Sequence, residues 1–143
     1  MPAFLTNEVK EVLKSAIAKA EKQTSGEIAV CLKKYVKGDV YEAAKKFFDE
    51  KELYKTKDRN AVLVFLAYKD HKLAILGDQG INAKVPKDFW QSTVEIMTSN
   101  FKEGKYAEGL EKGILKIGEE LKHDFPWQED DVNEIADEIH VED

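Results

Sequence analysis

The chain has 143 residues, of which 43% are hydrophobic and 35% are charged, and its formal net charge is −6. This length suits one globular domain with a substantial core, and the apolar content excludes a disordered chain. The sequence lacks any run of about 18 apolar residues, so we predict no membrane span. It also lacks the pattern of a signal peptide at its start. We therefore expect a cytoplasmic, soluble protein. We also predict that it is a monomer.

The negative charge is concentrated at the C-terminal end. The segment from Gln128 to Asp143 contains eight acidic residues and no Lys or Arg, whereas lysines and acids alternate in the nearly neutral remainder. This distribution argues against a nucleic-acid-binding protein. We predict a domain over residues 1–126 and an acidic tail over residues 127–143. The spacing of apolar residues in the tail predicts one short, weakly held helix from about Asp131 to Ile139, with no role in metal binding.

Helices and strands alternate along the first half of the chain. Apolar residues recur every three or four positions from Val9 to Ala20, which predicts an amphipathic helix that Thr6 can cap. The run from Glu27 to Leu32 is apolar on both alternating faces, as expected of a strand that is covered on both sides. A second helix is predicted to begin after Asp39, which can act as its N-cap.

The second half completes an α/β fold. The continuous apolar run from Ala61 to Tyr68 predicts a central strand, parallel to the first because a helix separates them. A tight polar turn then predicts an antiparallel strand from Lys72 to Leu76. Two more helices should follow, one after Pro86 that ends at Gly104 and one from Tyr106 to Leu121. The predicted fold is a mixed, mostly parallel β-sheet sandwiched between helices.

Several small residues also suggest structural roles. We interpret Gly77 and Gly80 as turn residues that need a positive φ. The glycines of the last helix (Gly109, Gly113 and Gly118) predict close contact with the sheet. Cys31 lies in an apolar strand, far in sequence from any base, so we predict a buried and inert thiol.

Short motifs in order along the chain resemble the TPM domain family from Leu5 to about Pro126. They comprise Ser25 to Ile28, Lys57 to Leu63, Gly77 to Ile81, Asp88 to Trp90, Phe101 to Leu110 and His123 to Pro126. The resemblance implies a central sheet between helices and, in some members, a calcium-binding acidic site and modest acid phosphatase activity. The chain departs from common family forms at Ala61, where Gly is frequent, and at His71, where Arg is frequent.

Strand directions predict a metal site. If the first two strands are parallel and the third is antiparallel, the starts of the first two and the end of the third lie at the same sheet edge. Carboxylate and amide oxygens there are the ligands that Ca²⁺ or Mg²⁺ requires. The candidate ligands are Glu27, Asp58, Asn60, Asp78 and Asp88. Each could instead be a solvated loop residue, a helix cap or a partner of its own turn.

Two functions follow from this site. The first is a module that binds a divalent cation, with weak or no phosphatase activity. The alternative is a metal-dependent acid phosphatase in which Arg59 holds the phosphate. The sequence has no nucleophile elbow, no P-loop and no histidines at metal-ligand spacing, which favours the first. A rival site, for an anion, is the basic opposite edge, formed by Lys33, Lys34, Tyr35, Tyr68, Lys69 and His71.

Overall fold

A computed structural model of the chain describes residues 2–128 and 139–142. The described part contains five helices: α1 (Asn7–Glu21), α2 (Val40–Glu50), α3 (Gln79–Asn82), α4 (Gln91–Lys102) and α5 (Tyr106–Leu121). Its four strands are β1 (Glu27–Lys33), β2 (Ala61–Ala67), β3 (Lys72–Gly77) and β4 (Ile139–Glu142). The short helix α3 and the strand β4 were not predicted.

Side-chain caps fix the beginnings of the first two helices. Thr6 Oγ1 accepts a hydrogen bond from Val9 N at 3.1 Å, and Asp39 Oδ1 accepts one from Tyr41 N at 2.7 Å. Both predicted N-caps are confirmed, because each oxygen satisfies an amide that has no partner inside its helix. Gly104 follows α4 with φ +77°, a left-handed conformation that glycine adopts readily. Within the described ranges, none of the helices has both the length and the apolar character needed to cross a membrane.

The sheet has the strand order β3-β2-β1-β4. β1 and β2 are parallel, with Glu27 opposite Ala61. β2 and β3 are antiparallel, with Val62 opposite Gly77. The predicted mixed, mostly parallel sheet is confirmed. The starts of β1 and β2 therefore lie at the same edge as the end of β3.

The strand β4 lies in the segment that was predicted to be an acidic tail. It pairs in parallel with β1, so that Val30 lies opposite Ile139 and Lys33 opposite Glu142. Ile139 was predicted to end a tail helix, but it begins a strand, and residues 131–138 of that helix lie outside the described residues. β4 supplies hydrogen-bonding partners for the edge of β1 that faces away from β2. Residues 139–142 thus belong to the sheet of the domain.

Helices cover both faces of the sheet. On one face, side chains of α1, α4 and α5 form the larger apolar cluster with Ile28, Val30, Val62 and Val64. On the other face, α2 covers a smaller cluster that contains Ala29, Cys31, Leu63 and Phe65. Every residue of β2 is buried, as its continuous apolar sequence predicts.

The glycines of α5 contact other helices. A Cβ atom on Gly109 would lie 2.7 Å from Phe101 Cε1, and one on Gly113 would lie 2.2 Å from Met97 Sδ, both in α4. A Cβ atom on Gly118 would lie 2.7 Å from Ala20 Cα in α1. The predicted contact with the sheet was wrong, because these glycines instead allow α5 to approach its two neighbouring helices closely.

Cys31 lies inside the sheet between Phe65 and His140, and its side chain is fully buried. Burial, with a smaller effect of the Glu142 carboxylate, raises its pKa to about 12. The predicted burial is confirmed. Since only the thiolate is a nucleophile, we expect Cys31 to react with an aromatic disulfide reagent at pH 8 only through unfolding. The reaction rate should therefore rise with denaturant in parallel with the unfolded fraction, and a fast reaction without denaturant would contradict this burial.

The raised pKa also gives a direction for the pH dependence of stability. The folded state keeps the Cys31 proton up to about pH 12, whereas an unperturbed thiol loses its proton near 9.0. The stability that this group contributes is therefore complete below pH 9 and is lost as the pH rises towards 12. Comparison with Cys31→Ala across this range isolates the effect, because the other alkaline groups are common to both proteins.

Candidate cation site at the Glu27 edge of the sheet

Three strands place Glu27, Ala61 and Asp78 in one row. Glu27 lies opposite Ala61 across β1 and β2, and Asp78 N donates to Ala61 O at 2.9 Å. Ala29 and Leu76 pack on the α2 side of the sheet, so the two-residue alternation puts Glu27 and Asp78 on that side too. Both acids are buried, with 3% and 6% exposure. The structure thus brings two of the predicted carboxylates to one edge and one face.

The Asp78 carboxylate is held by Arg59. Arg59 Nε donates to Asp78 Oδ2 at 2.7 Å, and Arg59 Nη2 donates to Asp78 Oδ1 at 2.9 Å. Oδ1 also accepts from Gln79 N at 2.8 Å, which makes Asp78 the N-cap of α3. The hydrogen bond with Asp78 raises the pKa of Arg59 above its usual value. This bidentate pair joins the loop before β2 to the end of β3.

The loop that carries Arg59 has a constrained backbone. Arg59 has φ +51°, in the left-handed region that costs a side-chain-bearing residue about 1–2 kcal/mol. Its carbonyl oxygen accepts a hydrogen bond from Gly80 N at 2.8 Å, and its guanidinium carbon lies 5.8 Å from the centre of the Tyr54 ring. These contacts hold the loop against the beginning of α3.

Asn60 connects the same loop to the beginning of β1. Its backbone carbonyl accepts from Glu27 N at 3.1 Å, its side-chain Nδ2 donates to Ser25 O at 2.7 Å, and its backbone N donates to Thr56 Oγ1 at 3.2 Å. Asn60 is buried, and no described residue donates a hydrogen bond to its Oδ1. An unpaired buried oxygen costs about 1–3 kcal/mol, and it is also a suitable oxygen ligand for a hard cation.

The remaining two predicted ligands are exposed. Asp58 lies in the Arg59 loop, and a Cβ atom on Gly80 would lie only 2.1 Å from its carbonyl oxygen. Asp88 lies in the turn before α4, where its carbonyl oxygen accepts from Gln91 N at 3.0 Å. Within residues 2–128 and 139–142, three or more Asp, Glu, His or Cys side chains nowhere gather closely enough to hold a metal ion. The edge therefore combines Glu27, Asn60 and Asp78, with Asp58 on an adjoining loop.

Two features of this edge were missed from the sequence. Arg59 was considered as a phosphate ligand, but its guanidinium binds Asp78. One signal in the sequence could have suggested this pair. Arg59 lies just before β2, and the antiparallel neighbour β3 ends next to Asp78.

Gly77 and Gly80 were interpreted as positive-φ residues, and this was wrong, since the described glycines with positive φ are Gly38 and Gly104. Gly80 is instead small enough to let the Arg59 loop approach.

The sequence profile described as TPM domain matches residues 2–120 of this chain. The chain belongs to the TPM domain family. No functionally curated protein shows significant similarity to this TPM domain. Among solved structures, it is similar to the NMR structure of the BA42 protein from the psychrophilic bacterium Bizionia argentinensis, with 39% identity and a TM-score of 0.93. That match covers 99% of this chain and 98% of the other.

Two more distant structures share the fold of this TPM domain. One is the N-terminal domain of a protein from P. gingivalis, with 20% identity and a TM-score of 0.71, covering 86% of this chain and 80% of the other. The other is the N-terminal domain of the cg2496 protein from Corynebacterium glutamicum, with 10% identity and a TM-score of 0.64. It covers 94% of this chain and 79% of that one. At these identities the likeness concerns the fold alone.

Proposed function

We propose that this TPM domain binds a divalent cation, Ca²⁺ or Mg²⁺, at the Glu27 edge and has weak or no phosphatase activity. The observation that supports the proposal best is the set of three buried oxygen-bearing side chains at this edge, namely Glu27, Asn60 and Asp78. Burying two carboxylates is costly unless positive charge balances them. Arg59 supplies one such charge to Asp78, and a divalent cation bound at this edge would add two more.

The proposed ligands are the carboxylates of Glu27 and Asp78 and the Oδ1 atom of Asn60. Asp58 lies on the same loop as Asn60, and its contribution, like that of the exposed Asp88, stays a prediction. Arg59 must leave Asp78 for the cation to bind. Its side chain is 40% exposed, so it can turn into solvent, whereas that of Asp78 is 5% exposed. The cation and Arg59 should therefore compete for one carboxylate.

The phosphatase alternative depends on the same exchange. A bound cation would supply Lewis acidity to a phosphoryl oxygen and lower the pKa of a bound water. Arg59 could hold a phosphate only after releasing Asp78, since its Nε and Nη2 both donate to that carboxylate. The described edge contains no Ser, Thr or His in a nucleophile–base pair, which supports weak or absent catalysis.

The cation proposal predicts a large gain in stability. A ligand that binds only the folded state at 100 times its Kd adds about 2.7 kcal/mol to the free energy of unfolding. We therefore expect a higher melting temperature in millimolar CaCl₂ than in a chelator, and we expect Asp78→Asn to abolish the difference. Melting that is the same in calcium and in chelator would contradict the proposal.

A matched control is available at the opposite edge of the sheet. Asp39, like Asp78, caps a helix through its Oδ1 atom, and Asn is an equally good N-cap. Asp39→Asn therefore removes the same charge and keeps the same kind of cap, and it should retain the full calcium effect. If both variants lost the effect equally, calcium would be acting on the total charge of the protein.

The same three proteins separate the two functions. With para-nitrophenyl phosphate and calcium, we expect the wild-type protein and Asp78→Asn to show the same low rate. A calcium-dependent rate that Asp78→Asn abolishes and Asp39→Asn retains would favour the acid phosphatase. Arg59→Gln should then lower that rate while it improves calcium affinity, because the carboxylate loses its competitor.

A further inference from the structure

An open cleft of about 630 Å³ lies at the opposite edge of the sheet, where β1 and β2 end. We call it the Phe4 cleft. It is lined by side chains that include Phe4, Lys34, Tyr68, Lys69 and Tyr106, together with Pro2. Its volume falls within the range of roughly 300–1,000 Å³ that is usual for small-molecule sites. The carboxyl ends of parallel strands are also the usual place for ligands on an open α/β sheet.

Aromatic rings form the apolar wall of the Phe4 cleft. The Phe4 ring stacks on Tyr106 at 5.0 Å between ring centres and meets Tyr68 edge-on at 6.0 Å. Tyr106 is itself stacked on the buried Phe101 at 5.6 Å. The Tyr106 hydroxyl lies 3.4 Å from Tyr68 O and 3.3 Å from His71 Nε2. These contacts fix the rings in place, so the wall exists before any ligand arrives.

Two lysines give the Phe4 cleft its charge. Lys34 and Lys69 lie on adjacent strand ends, where Lys69 N donates to Lys34 O at 3.0 Å, and both are exposed. Neither forms an ion pair with an acid in the described part of the chain; Lys34 lies 6.0 Å from the centre of the Tyr35 ring.

Two acids adjoin residues of the cleft, Asp70 next to Lys69 and Glu103 next to Gly104, and both are already engaged. Asp70 Oδ2 accepts a hydrogen bond from Val36 N at 2.7 Å, and Glu103 pairs with Lys105 at 3.5 Å. The two lysines of the cleft are therefore not neutralised by these carboxylates. An anionic ligand would complement them, and the aromatic wall would suit a flat apolar group.

We propose that the Phe4 cleft binds a small aromatic anion, with Lys34 and Lys69 holding its phosphate or carboxylate group. The aromatic group would rest against Phe4, Tyr68 and Tyr106. This site is separate from the cation edge, because β1 and β2 each span seven residues between the two edges, or roughly 20 Å. The proposal does not depend on cation binding.

Phenylphosphonate is a suitable probe because it carries both chemical features and contains no phosphate ester bond that could be hydrolysed. In a titration of the full chain followed by amide NMR, we expect saturable shifts at Lys34, Tyr68, Lys69 and Tyr106. Inorganic phosphate alone and benzyl alcohol alone should each bind at least tenfold more weakly. Equal affinity for phosphate and phenylphosphonate would overturn the role of the aromatic wall.

The variant Lys34→Gln/Lys69→Gln should weaken phenylphosphonate binding at least tenfold. The matched control is Lys112→Gln/Lys122→Gln, which removes the same charge from two exposed lysines in and just after α5. An equal loss of affinity in both variants would show a general charge effect and overturn the site, as would amide shifts centred elsewhere in the protein.

Phe4→Ala tests the aromatic wall independently of charge, and it should also weaken phenylphosphonate binding. Asp78→Asn should bind phenylphosphonate normally, so failure of the cation proposal would leave this one intact.

Discussion

We expect Phe65→Ala to lower the free energy of unfolding by about 3–5 kcal/mol, the usual cost of truncating a large core side chain. Phe65 is 1% exposed at the centre of β2, and its ring packs 6.2 Å from that of Phe47 in α2. Its neighbours across the sheet are Cys31 and Ala74, both small. Short side chains on both sides cannot fill the space that the ring leaves, so a cavity should remain. Chemical denaturation measures the loss.

Two further variants serve as controls for Phe65→Ala. Phe65→Leu keeps most of the side-chain volume. It should lower the free energy of unfolding by less than about 1.5 kcal/mol, the usual limit for a conservative core substitution, and so clearly by less than Phe65→Ala. Val12→Ala removes an apolar group that is 41% exposed on α1, and we expect little change. A loss below about 1 kcal/mol for Phe65→Ala would mean that the ring is not in the core.

The sequence predicted the elements whose signals are local. The apolar run of β2 indicates burial on both faces, because no alternation of polar residues interrupts it. Thr6 and Asp39 indicate helix starts because a cap acts on amides two or three residues away. The hairpin between β2 and β3 follows from a three-residue turn. Together these signals predict the arrangement of β1, β2 and β3, and hence the edge that carries Glu27, Asn60 and Asp78.

The features that the sequence did not predict depend on contacts between distant residues. Ile139 to Glu142 alternates apolar and polar residues, which is a strand pattern, but its place beside β1 is decided only by the free edge of the sheet. The partner of Arg59 is 19 residues away. Its choice of Asp78 over solvent or a ligand depends on the positive φ of Arg59 and on how closely Gly80 approaches the loop, neither of which has a local signal.

Gly80→Ala should destabilise the protein by about 1.5–4.5 kcal/mol and weaken the proposed cation site. Its Cβ atom would lie 2.1 Å from Asp58 O and 2.7 Å from Arg59 O, which are backbone atoms that no side-chain rotation can move. The loop must shift, and the hydrogen bond from Gly80 N to Arg59 O at 2.8 Å would be lost. Overpacking costs about 1–3 kcal/mol, and a lost hydrogen bond adds about 0.5–1.5 kcal/mol.

Gly26→Ala is the matched control for this substitution, since it adds the same methyl group near the same edge. Its nearest contact would be Leu121 Cδ1 at 3.0 Å, the end of a flexible side chain that can rotate away, so we expect a cost below about 1 kcal/mol.

Denaturation of both variants in calcium and in chelator separates the loss of stability from the loss of cation binding. If Gly80→Ala were as stable as Gly26→Ala, the close approach of the Arg59 loop would be wrong. If it were unstable but kept the full calcium gain, Asp58 would have no part in cation binding, which would then depend on Glu27, Asn60 and Asp78 alone.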